Sequence, residues 1–100
     1  MQLKMIANKM RECDSAIHYF PDGLSVHFER DGDNVSLTLE RLVIMPGDMD
    51  IAFMRAAFDV PDDVTAQAKH IAHVSPRTGL TNRYGQVKLS WIERQPIINR

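Results

Sequence analysis

The chain has 100 residues, of which 44% are hydrophobic and 25% are charged, and its formal net charge is −1. This composition is typical of one globular domain and excludes a collagen-like, disordered or strongly charged chain. No uninterrupted apolar run exceeds four residues, whereas a membrane-spanning helix needs about 20. The single cysteine, Cys13, excludes an internal disulfide and favours a reducing compartment. We therefore expect a soluble, cytoplasmic protein.

The first element is predicted to be a helix from Gln2 to Cys13. Apolar residues recur at spacings of three and four along one helical face, namely Leu3, Ile6, Met10, Cys13 and Ile17. We expect Cys13 to be buried on this face, where a thiol is usually inert. A short strand over 15–20 is predicted to follow, and Pro21-Asp22-Gly23 is typical of a turn.

Two segments then alternate apolar and polar residues, as strands with one buried face do. Their apolar positions are Leu24, Val26 and Phe28 in the first segment and Val35, Leu37 and Leu39 in the second. The intervening Asp31-Gly32-Asp33-Asn34 supplies residues that tolerate a tight turn. Closing this turn with Arg30 opposite Val35 places Phe28 opposite Leu37. Turn and pattern agree, so the sequence predicts a hairpin in this register.

A second helix is predicted to begin at Pro46-Gly47-Asp48, with Asp48 as its N-cap, and to end before Pro61. It carries two apolar stripes on roughly opposite sides. One stripe contains Met49, Ala52, Phe53, Ala56, Ala57 and Val60, and the other contains Ile51, Met54 and Phe58. A helix packed on one sheet needs only one apolar stripe. The second stripe therefore requires cover from the first helix or from another molecule.

The remaining sequence predicts a second pair of strands. The segment 65–74 is interpreted as a strand, although its alanines also suit a helix. A loop is expected over 75–83, and Val87, Leu89 and Trp91 alternate with polar residues as in a strand. We thus expect one α+β domain over 1–95, with an antiparallel sheet of about four strands and two helices on one face. Residues 96–100 are expected to form a C-terminal tail.

Charge is unevenly distributed, since residues 1–68 carry a net charge of −6 and residues 69–100 carry +5. Such asymmetry can indicate a nucleic-acid or an oppositely charged protein partner. The candidate basic ridge for binding phosphates or an acidic protein consists of Lys69, His73, Arg77, Arg83 and Lys88, with His70 beside it. Alternatively, the acidic and basic segments neutralise each other within the fold.

The sequence contains no motif that defines a reaction or a metal site. His70 and His73 have the spacing of metal ligands on a helix, but on a strand they point to opposite faces. Asp31 and Asp33 begin like a calcium loop, but Leu42 stands where the bidentate glutamate belongs. We therefore expect a non-enzymatic protein that needs no cofactor or metal.

The leading hypothesis is a protein-binding module that uses the spare helix stripe and nearby carboxylates. Its predicted contact residues are Ile51, Met54, Phe58, Asp59, Asp62 and Asp63. In size and style the chain resembles accessory proteins of phages and mobile elements, including proteins that inhibit host complexes. Two alternatives remain open: a nucleic-acid-binding module that uses the basic ridge, and a homodimeric structural or assembly component.

Overall fold

The computed structural model describes residues 3–74 and 81–94. They form two helices and five strands, which confirms the α+β class with one strand more than the predicted four. The elements are α1 (Leu3–Met10), β1 (Ser15–Tyr19), β2 (Leu24–Asp31), β3 (Asn34–Leu42), α2 (Asp48–Ala57), β4 (Gln67–Val74) and β5 (Thr81–Ile92). Within this part of the chain, no helix is long and apolar enough to cross a membrane.

All five strands belong to one antiparallel sheet, in the order β1-β2-β3-β5-β4. The predicted hairpin is confirmed in its register, because Arg30 pairs with Val35 and Phe28 pairs with Leu37. β5 inserts between β3 and β4, so that β1 and β4 are the two edge strands. Of the segment 65–74, which also suited a helix, Gln67–Val74 form strand β4.

The hydrophobic core lies on one face of the sheet, against which both helices pack. Every second residue of the three central strands points into it, so that Phe28, Leu37 and Leu89 are fully buried. Burial of a side chain of this size contributes about 1.5–3 kcal/mol to folding. From the helices, Met10 of α1 and Met54 of α2 complete the core. We call the opposite face of the sheet the open face, because neither α1 nor α2 covers it.

The predicted helix ends are corrected in two places, at the start of α2 and at the end of α1. α2 has Gly47, not Asp48, as its N-cap, and the Asp50 carboxylate accepts a 3.0 Å hydrogen bond from the Gly47 N–H. Its C-terminus turns at Asp59 (φ 52°), after which the Val60 N–H donates to the Arg55 carbonyl over 2.9 Å. This is a left-handed helix cap that satisfies a terminal carbonyl.

α1 is shorter than predicted and ends at Met10. Cys13 consequently lies outside the helix and is exposed, which corrects the expectation that it is buried. β5 begins at Thr81, inside the segment predicted to be a loop, because Thr81 pairs with Val74 of β4. Residues 75–80 and the predicted tail at 96–100 lie outside the described residues.

Candidate interaction surfaces

The stripe of α2 that was predicted to bind a partner is the stripe that enters the core. Phe58 is 1% exposed and Met54 is 4% exposed, while Ile51 is partly buried against the same cluster. Phe58 stacks on Phe28 with ring centroids 5.8 Å apart. Met54 and Phe58 are therefore corrected from contact residues to core residues, since neither side chain is accessible to another molecule.

The three predicted acidic contact residues remain on the surface. Asp59, Asp62 and Asp63 are all exposed. The Lys4 ammonium of α1 binds the Asp59 carboxylate, so this residue already has a partner inside the chain. The three carboxylates of the predicted contact site are thus accessible, but Met54 and Phe58, its predicted apolar residues, are buried.

Most of the opposite stripe of α2 faces solvent instead, except Ala57 and Val60, which are buried in the core. Met49 is 65% exposed and Phe53 is 50% exposed, and they lie four residues apart on the same side of the helix. The chain that leads into α2 is also apolar and exposed, from Leu42 through Val43 to Ile44. We call these five exposed residues the apolar surface. Leu42 points to the open face and α2 packs on the core face, so these residues border the turn between the two faces. Exposed apolar groups on small proteins commonly mark interaction sites.

A strained backbone conformation lies within the apolar surface. Val43 has a φ of 77°, in the left-handed region that a β-branched side chain rarely occupies. Its N–H donates a hydrogen bond to the Arg83 carbonyl of β5, which holds the backbone in place. Strain of this kind costs about 1–3 kcal/mol and is concentrated at functional sites.

The segment after Val43 crosses the sheet at Gly85 of β5. A Cβ atom on Gly85 would lie 2.5 Å from the Met45 Cα, so only glycine permits this close approach. Met45 then forms a shallow pocket of about 280 Å³ with Ala68, Lys69 and His70 of the edge strand β4. An apolar surface and a strand edge are thereby brought to the same end of the sheet.

Arg41 fixes the start of α2 on the sheet. Its guanidinium binds both carboxylate oxygens of Asp50, over 2.7 and 2.8 Å, and the carboxylate of Asp22 over 3.2 Å. The hydrogen bonds from Arg41 lower the pKa of Asp50, and those to Asp50 raise the pKa of Arg41. Met49 and Phe53 therefore project from a helix whose first turn is held on the sheet by the ion pair between Arg41 and Asp50.

A second ionic cluster joins α1, β2 and the end of β5. The Glu93 carboxylate accepts hydrogen bonds from Arg11 (2.6 Å) and Arg30 (2.9 Å). Burial raises the pKa of Glu93, but these two arginines outweigh that effect and hold the pKa below its ordinary value. Both guanidinium groups also lie over the Phe28 ring, at 5.5 and 5.8 Å. This cluster stabilises the fold and does not face the apolar surface.

The predicted basic ridge is only partly assembled. Lys69 and Lys88 are exposed and lie on the open face, on neighbouring strands. Arg83 is exposed but lies on the other face, because it alternates with Tyr84 along β5. His73 is placed by its backbone pairing with Asn82, and Arg77 lies outside the described residues.

The open face around these lysines carries charges of both signs. His27, Thr38 and Gln86 share a groove of about 400 Å³ with the two lysines. Glu40 accepts a hydrogen bond from Gln86, and Glu29 lies 3.2 Å from the His27 ring nitrogen. The face is therefore polar without being strongly basic. Among the described residues, no group of three or more histidine, cysteine or carboxylate side chains could hold a metal ion.

The apolar surface was missed by the sequence reasoning, although the sequence contains a signal for it. By the alternation along β3, Leu42 occupies a position equivalent to Thr38 and Glu40 on the open face. An apolar residue there, followed by Val43 and Ile44, breaks the polar-out pattern and indicates a contact.

No protein-family model, curated protein or solved structure matches the chain.

Proposed function

We propose that this protein is a non-enzymatic protein-binding module and that the apolar surface is its contact site. The observation that carries the proposal is the exposure of five large apolar side chains on both sides of the turn into α2. Leaving them in water is unfavourable by roughly 25 cal/mol for each Å² of apolar area that a partner could cover. A partner that covers them gains this free energy and places Phe53, an aromatic anchor, at its interface.

The strain at Val43 supports the same proposal. Val43 is 64% exposed, so its side chain contributes little to the core of the folded chain. A strained, β-branched, exposed residue is unfavourable for stability alone. Binding supplies a reason for its presence, because the left-handed backbone at Val43 ends β3 and turns the exposed Val43 and Ile44 out of the strand.

The test compares capture of partners by matched variants. Met49 on α2 and Met5 on α1 are helical methionines with exposed fractions of 65% and 66%. We expect wild type and Met5→Asp to retain the same defined set of proteins from a nuclease-treated lysate of the source organism. Met49→Asp should lose this set while keeping the wild-type far-ultraviolet circular dichroism spectrum. Equal capture by both variants would refute the apolar surface as the contact site.

Nucleic-acid binding is the alternative function. Of the predicted ridge residues whose side chains the structure describes, Lys69 and Lys88 share one face and favour it. The two lysines share the open face with the carboxylates of Glu29 and Glu40, whereas phosphate binding favours a face on which all charges are positive. A captured set that disappears after nuclease treatment would favour this alternative. The proposal also includes a cytoplasmic location, because a reducing compartment suits the exposed thiol of Cys13. It further includes an accessory or inhibitory role in a host complex.

A further inference from the structure

The second interaction feature is the outer edge of β4. β4 extends over Gln67–Val74 and is the last strand of the sheet, with β5 as its one neighbour among the described strands. An edge strand presents every second backbone N–H and C=O group away from its neighbour, ready to pair with another strand. The other edge, β1, has only five residues, whereas β4 has eight. β4 is therefore the longer template for strand addition.

The two faces of β4 present different chemistry to an added strand. Ala68 and His70 point to the helix side, where they form the shallow pocket with Met45. Lys69 lies between them and points to the open face, as does Ile71. Because successive side chains of a strand alternate between faces, an added strand would place one side chain against the pocket and its neighbours beside Lys69.

The charge of β4 distinguishes between possible occupants. The pocket is mainly apolar and Lys69 is cationic, so the complementary strand alternates apolar and acidic residues. A second copy of this chain does not supply such a strand at either edge, because neither β4 nor β1 contains an aspartate or glutamate. Pairing β4 with itself would leave Lys69 without an acidic partner on the added strand, because β4 contains no carboxylate.

We infer that β4 binds an extended segment of a partner protein, of alternating apolar and acidic residues, which adds to the sheet as a sixth strand. Backbone hydrogen bonds along Gln67–Val74 provide affinity, and the pocket at Met45 and the charge of Lys69 provide selectivity. This inference goes beyond the proposed function, because it concerns a different surface and does not depend on Met49 or Phe53.

The experiment uses fluorescent peptides of about ten residues, the upper end of ordinary strand length. One peptide alternates valine with glutamate, and its control alternates valine with lysine. We expect saturable binding of the acidic peptide to the full chain, measured by fluorescence anisotropy, and no binding of the basic one. Added acidic peptide should slow amide hydrogen exchange at alternate residues of β4. Equal binding of both peptides, or of neither at millimolar concentration, would overturn the inference.

Two charge reversals locate the binding site. Lys69→Glu on β4 should weaken binding of the acidic peptide about tenfold, since it places like charges on adjacent strands. Lys88→Glu makes the same change on the same face but one strand further in, so its effect should stay within about twofold. Phe53→Asp should leave peptide binding unchanged. Equal weakening by the two lysine variants would place the peptide elsewhere on the open face and refute the edge.

Self-association is the remaining outcome to be measured. We expect sedimentation equilibrium to give a monomer at micromolar concentration without peptide. A dimer in which amide exchange along β4 is slowed would identify a second copy as the occupant and overturn the inference.

Discussion

The rings of Phe28 and Phe58 stack with their planes inclined by only 15°. Phe28 belongs to β2 and Phe58 caps the C-terminus of α2, so this contact fixes which side of α2 faces the sheet. The outward direction of Phe53 follows from it, because the two residues lie on different sides of the same helix. The contact therefore determines which residues of α2 belong to the core and which belong to the proposed interaction surface.

Phe58→Ala should destabilise the protein by about 3–5 kcal/mol, because it removes a fully buried ring and leaves a cavity. Phe53→Ala removes the same atoms from a residue that is 50% exposed and should cost less than about 1 kcal/mol. Urea unfolding followed by circular dichroism measures both free energies. Equal losses would mean that Phe53 belongs to the core as much as Phe58 does.

Gly85→Ser should cost about 1–3 kcal/mol, because the new Cβ meets the Ile44 and Met45 backbone, which cannot rotate away. The matched control is Gly47→Ser, where a Cβ meets nothing within 4 Å. Serine is also a favoured N-cap residue, so this control should stabilise α2 by a few tenths of a kcal/mol. Thermal unfolding gives the comparison, and a neutral Gly85→Ser would contradict the close crossing at this position.

Val43→Gly should stabilise the isolated protein by about 1 kcal/mol, since relief of left-handed strain exceeds the entropy that glycine adds to the unfolded chain. The control Ile44→Gly also removes an exposed apolar side chain, but Ile44 does not have a positive φ. It should destabilise by about 0.5–1 kcal/mol. Scanning calorimetry distinguishes the two, and a loss of stability in both variants would show that Val43 is not strained.

Stability should fall in acid partly through Glu93. The pKa of Glu93 in the unfolded chain is close to the ordinary 4.5, and in the folded protein the pKa lies below that value. The carboxylate therefore contributes stability above about pH 4.5 that is lost as the pH falls through the folded pKa. Glu93→Gln should be less stable than wild type at pH 7, and this difference should shrink towards pH 3. Urea unfolding at several pH values measures this difference in the free energy of unfolding.

The sequence was sufficient for the hairpin because two independent signals agree there. Alternation along β2 and β3 and the turn at 31–34 specify one register, and a shift by one residue would expose Phe28 and Leu37. The β4 strand was predicted from a weaker pattern that also suited a helix, and the start of β5 was not predicted. Its first residues are strand because they pair with β4, which is a tertiary contact that the local sequence does not encode.

The orientation of α2 was not predictable from its own residues. Both stripes are apolar, so periodicity alone gives no preference between Met54 and Phe53. The choice depends on Phe58, which lies beyond the last turn and packs on a strand thirty residues away in sequence. The apolar surface was missed for a related reason: a β-branched residue such as Val43 does not predict a left-handed backbone.

The basic ridge is only partly assembled for a simpler geometric reason. Lys69, Arg83 and Lys88 are close in sequence, but alternation along the strands sends Arg83 to the face opposite the two lysines. Once the bounds of β5 are known, this separation follows from counting residues. Proximity in sequence is therefore a poor guide to a charged surface in a sheet.

The position of β5 in the sheet also constrains the order in which the fold can form. β5 follows every other described element in the chain, yet it lies between β3 and β4 and pairs Trp91 with Val35. During synthesis β1, β2 and β3 therefore emerge before β5, so the edge of β3 that pairs with β5 stays unpaired until β5 has been made. Contacts of such long sequence separation slow folding. Trp91, the only tryptophan and one that is buried in the finished fold, gives a fluorescence signal for the moment at which the sheet is completed.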